Sequence, residues 1–439
     1  MFSRKDLLRL LGPLIIEQIL TVLVGMVDVM MAAAVGETAV SGVALVDAIS
    51  LLIIQLMAAL ATGGAVVCSQ YIGKERPEDA RTAAGQLVFI TTIFASAVAV
   101  LALIGNRWLL KLIFGQVETA VMDNAVTYFW LTALSYPFLA IYNSCAALFR
   151  SMGNSKVSMK ASFAMNGLNV VGNAICIYGL HMGVEGVAIP TLLSRMFAAV
   201  LMFILISRPE HLLRISSVRQ MYPRLEMIRK ILIVGVPGGL ENGMFQFGKI
   251  ALQSLVSTLG TTAIASFAVA SNLVTFQYLP GTALGLGMTT IVGRCVGAGE
   301  NAQAKSYAKK LVVLNYGLLA GICLVMVIFS NQIVGIYNLS PEAASLSRKM
   351  ILVHTCVMTV WPLSFTIPHA LRAGLDNRFT MIVSVFSMWV FRIGCAYVFV
   401  KLFDTGVMGV WYGMFIDWIF RAVVYSNRFR GFEARVHQV

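Results

Sequence analysis

Glu17 and Asp28 are two carboxylates inside one apolar stretch, Leu11 to Val35, LGPLIIEQILTVLVGMVDVMMAAAV. Eleven residues at about 100° each return nearly to the starting azimuth, so both acids share one helical face, roughly 16 Å apart along the axis. Pro13 lies on the same stripe. The stretch can cross a bilayer as one helix, since about 20 residues span the roughly 30 Å hydrocarbon core. Each central acid costs on the order of 2.5–3.5 kcal/mol on insertion scales. The stripe is therefore expected to face water or buried partners. Intramembrane acids are functional candidates by default, able to take up and release protons or small cations; the alternative is a buried structural ion pair.

A second cluster is the sequence NGLNVVGNAICIYG, in which Asn166, Asn169 and Asn173 follow at spacings of three and four and so line one face. Three amides both donate and accept, and can position water, a cation or an amphipathic substrate; the alternative is hydrogen bonding between helices. Asp28, Asn169 and Asn173 are the expected ion-coupling residues. Glu17, Asn166, Glu241 and Lys249 are expected at a substrate cleft, with Glu241 and Lys249 too far apart at i, i+8 for a local pair. Asp47 with Arg195, and Arg392 with Asp417, are expected to neutralise one another as structural charge pairs. Arg421, near a helix end, is expected to snorkel. The seven scattered cysteines form neither a CxxC nor a His-containing metal spacing and read as small buried hydrophobes.

The elements that must hold these residues are membrane helices. The chain is 58% hydrophobic and 12% charged over 439 residues, with mean hydropathy +0.82, which excludes a soluble globular domain. The charged start MFSRKDLLRLL resembles a signal peptide, but the run behind it is too long and carries acids, so it reads as a retained first helix. Twelve spans are expected, at 11–34, 42–71, 85–113, 124–150, 159–180, 184–207, 229–257, 262–295, 306–337, 344–371, 379–402 and 406–427. With the N-terminus inside, basic residues concentrate in the cytoplasmic loops, from Lys74, Arg76 and Arg81 to Arg428, Arg430 and Arg435. The +13 charge is therefore a topology signal, and no nucleic acid is expected.

Ser207–Glu226 is the longest polar break and the expected hinge. The domains are then residues 1–207, an N-terminal six-helix lobe; 208–228, a basic linker; and 229–439, a C-terminal six-helix lobe. The halves repeat: Pro13/Pro237, Glu17/Glu241, Gly36/Gly260 and Gly73/Gly297 share an offset of 224, which becomes 222 at Arg150/Arg372 and 223 at Gly186/Gly409. The expected fold is all-α: twelve transmembrane helices in two pseudo-symmetric bundles around a central cleft, a parallel repeat of the kind that alternates access by rocking.

Three features resemble the multidrug and toxic compound extrusion (MATE) family over nearly the whole chain. These are the first span with Pro13, Asp28 and VGETAVSG (35–42), the turns LFRSMGNSK and ALRAGLDNR, and the asparagine face followed by GVEGVAIPT (183–191). The turns are basic edges expected to anchor to phosphate headgroups. The resemblance implies export of organic, often cationic, compounds in exchange for H+ or Na+. It implies that Asp28 is the first-helix acid of ion coupling and that Asn169 and Asn173 are the fifth-span pair, with Asn173 where many members have Asp. Glu241 lies in the helix where some members carry a sodium-coupling Glu, at a shorter distance from Pro237. Glu17 is nominated by physics alone.

The expectation is thus a secondary antiporter, not an enzyme, working as a monomer. It would have no resident cofactor and would lie multi-pass in the cell membrane with both termini cytoplasmic. A lipid-linked oligosaccharide flippase of the same superfamily is the alternative that Arg195, Lys249 and Arg392 support. A major-facilitator transporter would carry a G-x-x-x-D-R-x-G-R-R-like turn where GKERPEDARTA stands, and a membrane enzyme would need clustered acids or histidines at the membrane face.

Overall fold

Gly36 and Gly260, one repeat apart, stand in the turn between the first and second helices of each half at φ 138° and 90°. Side chains rarely adopt that backbone region, so the turn asks for glycine at both places. The computed structural model describes residues 2–115, 118–215, 218–337 and 339–432, and Arg435 of the expected cytoplasmic cluster lies outside them. Helices account for the regular structure among the described residues.

The first half holds α1 (Arg4–Val35), α2 (Glu37–Gly73), α3 (Pro77–Phe114), α4 (Thr119–Leu134), α5 (Tyr136–Ser151), α6 (Ser155–Ala174) and α7 (Glu185–Ile206). The second holds α8 (Leu225–Ser257), α9 (Thr261–Gly297), α10 (Asn301–Ile328), α11 (Ser330–Gly335), α12 (Pro341–Val357), α13 (Ile367–Ala373), α14 (Asn377–Ser387), α15 (Cys395–Lys401) and α16 (Val407–Arg430). Wide π-turns occupy Ile175–Gly179, Pro362–Thr366 and Met388–Gly394. Local sequence sets the boundaries: Ser3 and Asp6 form a capping box at α1, and Pro77 and Pro341 stand in the first turns of α3 and α12, where no N–H is missed.

Each expected span has a helical counterpart. Among the described residues eight helices are long and apolar enough to cross a membrane, or ten when α4 with α5 and α12 with 362–373 are each one bent span. The bends, 45° and 68°, fall where Pro137 and Pro362 remove a backbone donor and push against the preceding turn. The fifth and seventh expected spans, α6 with its π-turn and α8, are too polar for that criterion; they carry the asparagine face and the Glu241–Lys249 segment.

Contacts divide the chain into one compact unit ending at Gly239 and another beginning at Leu240, inside α8. In the N-terminal unit α1 lies along α6, α2 on α3 and α4, α3 on α5, and α7 on α5 and α6. The polar segment Ser207–Glu226 is fastened to α3. Gln86 Nε2 donates to the carbonyls of Gln220 and Tyr222 at 2.9 and 2.7 Å, and its oxygen accepts from the Arg224 N–H at 2.8 Å. The early turns of α8 press on α2 so closely that a Cβ on Gly63 would sit 2.7 Å from Gly235 Cα. Small residues permit that backbone approach. In the C-terminal unit α9 packs on α10, α12 and α13, and α16 on α15 and the 388–394 turn. Leu252, Leu255, Leu273, Val274, Trp411 and Trp418 belong to its buried core.

Candidate ion site and charged clusters

Asn169 and Asn173 are one turn apart on α6, and α1 runs along that helix, so both amides meet Asp28. Asn173 Nδ2 donates to Asp28 Oδ1 at 3.0 Å. The Asn169 amide is satisfied with its nitrogen towards Asp28, donating to the two oxygens at 2.8 and 3.1 Å, and its oxygen 3.0 Å from the Thr191 hydroxyl. Asn169 and Asn173 are buried and Asp28 half-buried. Asn173 Oδ1 is buried and accepts no hydrogen bond. Asp28 makes no ion pair among the described residues, and Arg195 acts on it only through space. Neutral dipoles therefore hold a carboxylate that no cation touches among the described residues.

The other candidates lie elsewhere. Asn166 bonds within α6, donating to Ser162 Oγ at 3.3 Å. The expected Asp47–Arg195 pair is not made directly. Asp47 is exposed and accepts from the Tyr128 hydroxyl at 3.3 Å, while Arg195 Nη1 donates to Ser135 Oγ at 2.7 Å, at the bend between α4 and α5. Arg195 stays near enough for its charge to act on Asp47 through space.

Glu17, expected at a substrate cleft, is buried against fixed partners: Arg150 Nη1 lies 3.8 Å from Oε1 and Ser158 Oγ donates to Oε2 at 2.9 Å. Glu241 is held likewise by Arg372 Nη2 at 2.7 Å. Glu17/Glu241 and Arg150/Arg372 are both repeat pairs, so the two halves build the same ion pair, one between α1 and the end of α5, the other between α8 and α13. Arg150 of the LFRSMGNSK turn and Arg372 of the ALRAGLDNR turn thus reach inward to carboxylates.

The bond lengths set an order of stability. Glu241→Gln should destabilise by about 1.5–3 kcal/mol, the range for a hydrogen bond to a charged group. Glu17→Gln should cost about half as much, since only the neutral Ser158 donates to it within hydrogen-bond distance. Thermal unfolding of the two purified variants checks this, and the reverse order would show that the shorter pair is not the stronger.

Arg392 and Asp417 are paired as expected, at 3.6 Å. Arg421 does not snorkel: it is 2% exposed and its Nε donates to Asp417 Oδ1 at 2.6 Å. Four residues separate it from Asp417, so both lie on one face of α16, which turns into the core. Ser387 Oγ also donates to that carboxylate. Lys249 and Arg392 each stand 5.1 Å from the centre of the Phe245 ring.

Apolar helices in a duplicated arrangement, charges tied off between them and one carboxylate left to amides define a polytopic membrane protein built to carry ions or solutes. Comparison with known proteins gives the family. The MatE family model matches residues 13–175 and 237–398, two segments that begin at Pro13 and Pro237, and the chain belongs to that family of transporters. It is 26% identical to an uncharacterized transporter, YisQ, of Bacillus subtilis, over 97% of this chain and 94% of that one. It is 26% identical to a probable multidrug resistance protein, NorM, of Thermotoga maritima, over 96% of this chain and 91% of that one. A solved outward-facing multidrug resistance MATE family transporter shares the fold with TM-score 0.91 at 21% identity, covering 97% of this chain and 95% of that one. The protein is a multi-pass membrane protein and a MATE efflux transporter.

Proposed function

We propose that this chain exports organic, amphipathic compounds from the cell in exchange for H+ or Na+ taken up at Asp28, Asn169 and Asn173. It would work by alternating access, as a monomer in the cell membrane with both termini cytoplasmic. The observation that carries the reading is the Asp28 carboxylate held by two amides and, among the described residues, paired with no cation. Amides are ambivalent: their N–H groups stabilise a bare carboxylate and, turned over, their oxygens face a bound cation. The unpartnered Asn173 Oδ1 is one such oxygen. Ion binding and substrate binding then oppose one another at equilibrium, with the same coupling in each direction. Relatives described as multidrug resistance proteins support an organic substrate.

Proteoliposomes loaded with a fluorescent organic cation test the reading, with a pH gradient and a sodium gradient imposed in turn. Export faster than from protein-free vesicles under one of the two is expected. Equal rates with and without both gradients would remove the antiport.

A further inference from the structure

The C-terminal unit carries a charged cluster that the ion site does not use. Lys249 of α8, Arg392 of the 388–394 turn and Arg421 of α16 gather around Phe245, with ring-to-cation distances of 5.1, 5.1 and 6.0 Å. Asp417 is the one carboxylate among them; its Oδ1 is hydrogen-bonded, while its Oδ2 is buried without a hydrogen bond. Arg421 and Ser387 hold its Oδ1, and Arg392 stands 3.6 Å from Oδ2. His354 and Tyr278 are the other titratable groups acting on Arg392. Three cations thus face one anion.

Two donors are spare. Arg392 Nε is buried with no hydrogen-bond partner, and Lys249 is exposed and makes no ion pair among the described residues. A buried donor without an acceptor is costly and points to a group that arrives later.

Helix geometry places Lys249 on the inner side of α8. Glu241, Phe245 and Lys249 follow at intervals of four, on the stripe that meets Arg372, Arg392 and Arg421. Exposed Val236, Leu240, Phe247 and Ile250 fall on the opposite stripe. Such a cluster of two guanidinium groups, an ammonium and an aromatic face matches a planar or tetrahedral anion attached to an aromatic body.

We propose that Lys249, Arg392 and Arg421 form a binding site for an anionic group, a carboxylate, sulfonate or phosphate, carried by the transported amphipath. The site rests on the exporter reading and adds to it a preference, among the exported amphipaths, for those that carry an anionic group. Lys249 supplies the exposed contact and Arg392 Nε the buried one, while Phe245 stacks on the organic part.

A carboxylated rhodamine and its ethyl ester, which differ only in the anionic group, test this with the full-length protein in phosphatidylcholine proteoliposomes. The wild type should favour the acid by about tenfold, the ratio given by one charge-assisted hydrogen bond. Lys249→Gln should lose that preference and Lys249→Arg should keep it. Arg392→Gln should lose it also, and if that variant does not fold, the two Lys249 variants still decide. Equal export of acid and ester by the wild type, or a preference that survives Lys249→Gln, overturns the site and leaves the exporter standing. Export of neither dye under either gradient counts instead against the exporter. In that case fluorescence anisotropy of the acid bound to detergent-purified protein reads the site directly, and no difference between wild type and Lys249→Gln overturns it. Vesicles containing phosphatidylglycerol separate the sources of anion: loss of the acid preference there would give the site to a lipid phosphate and overturn its role in transport.

Discussion

Asp28→Asn should bring ion-driven export down to the rate of passive leakage while the protein still inserts and folds. The substitution keeps the size of the side chain and one acceptor for the Asn173 amide. It removes a charge that makes no ion pair among the described residues but accepts from two amides, so stability should fall by about 1.5–3 kcal/mol, the range for a hydrogen bond to a charged group, which a folded protein can bear. What disappears is the group whose charge changes when an ion binds. Exchange of substrate for substrate across the membrane needs no ion and should persist. Transport driven by a gradient and exchange at equilibrium, measured on the same vesicles, separate the two. Normal gradient-driven export by Asp28→Asn would remove this carboxylate from the coupling mechanism.

The second large effect falls on stability. Asp417→Ala leaves the buried side chain of Arg421 and the largely buried one of Arg392 without their shared counter-ion. Deleting one partner of a buried pair costs about 3–5 kcal/mol, because the remaining charge is uncompensated. That approaches the whole stability of many domains, so the yield of monodisperse protein should fall sharply. Asp417→Ala with Arg421→Leu should recover part of the loss, since one stranded cation is gone and an apolar side chain fills its place. Unfolding temperatures of the single and double variants decide it: a single variant as stable as wild type would mean that the two guanidinium groups find acceptors elsewhere.

The meeting of Asp28 with Asn169 and Asn173 was legible because its logic is local. A carboxylate within a span calls for polar company, and amides at a spacing of four present one face. Thr191, which holds Asn169 in place, lies in the GVEGVAIPT stretch that carried the family likeness. The Glu–Arg pairs were hidden because 133 and 131 residues separate their members and no helical period spans such a gap. The signal was present in another form: both the acid and the arginine recur one repeat later. Arg421 was misjudged from its nearness to a helix end, although Asp417 four residues earlier is the pattern of a pair on one face. Asp47 and Arg195 had opposite signs in one half, but sign says nothing of distance, and Ser135 and Tyr128 took the places expected of each other.

The division of the chain inside α8 bears on how the protein could be taken apart. A cut in the polar stretch before Leu225 would leave α8 whole on the second fragment, yet its early turns lodge at Gly63 of the first. The first fragment would lack the early turns of α8 that pack on α2, and co-expressed fragments would be expected to rejoin at that glycine seam.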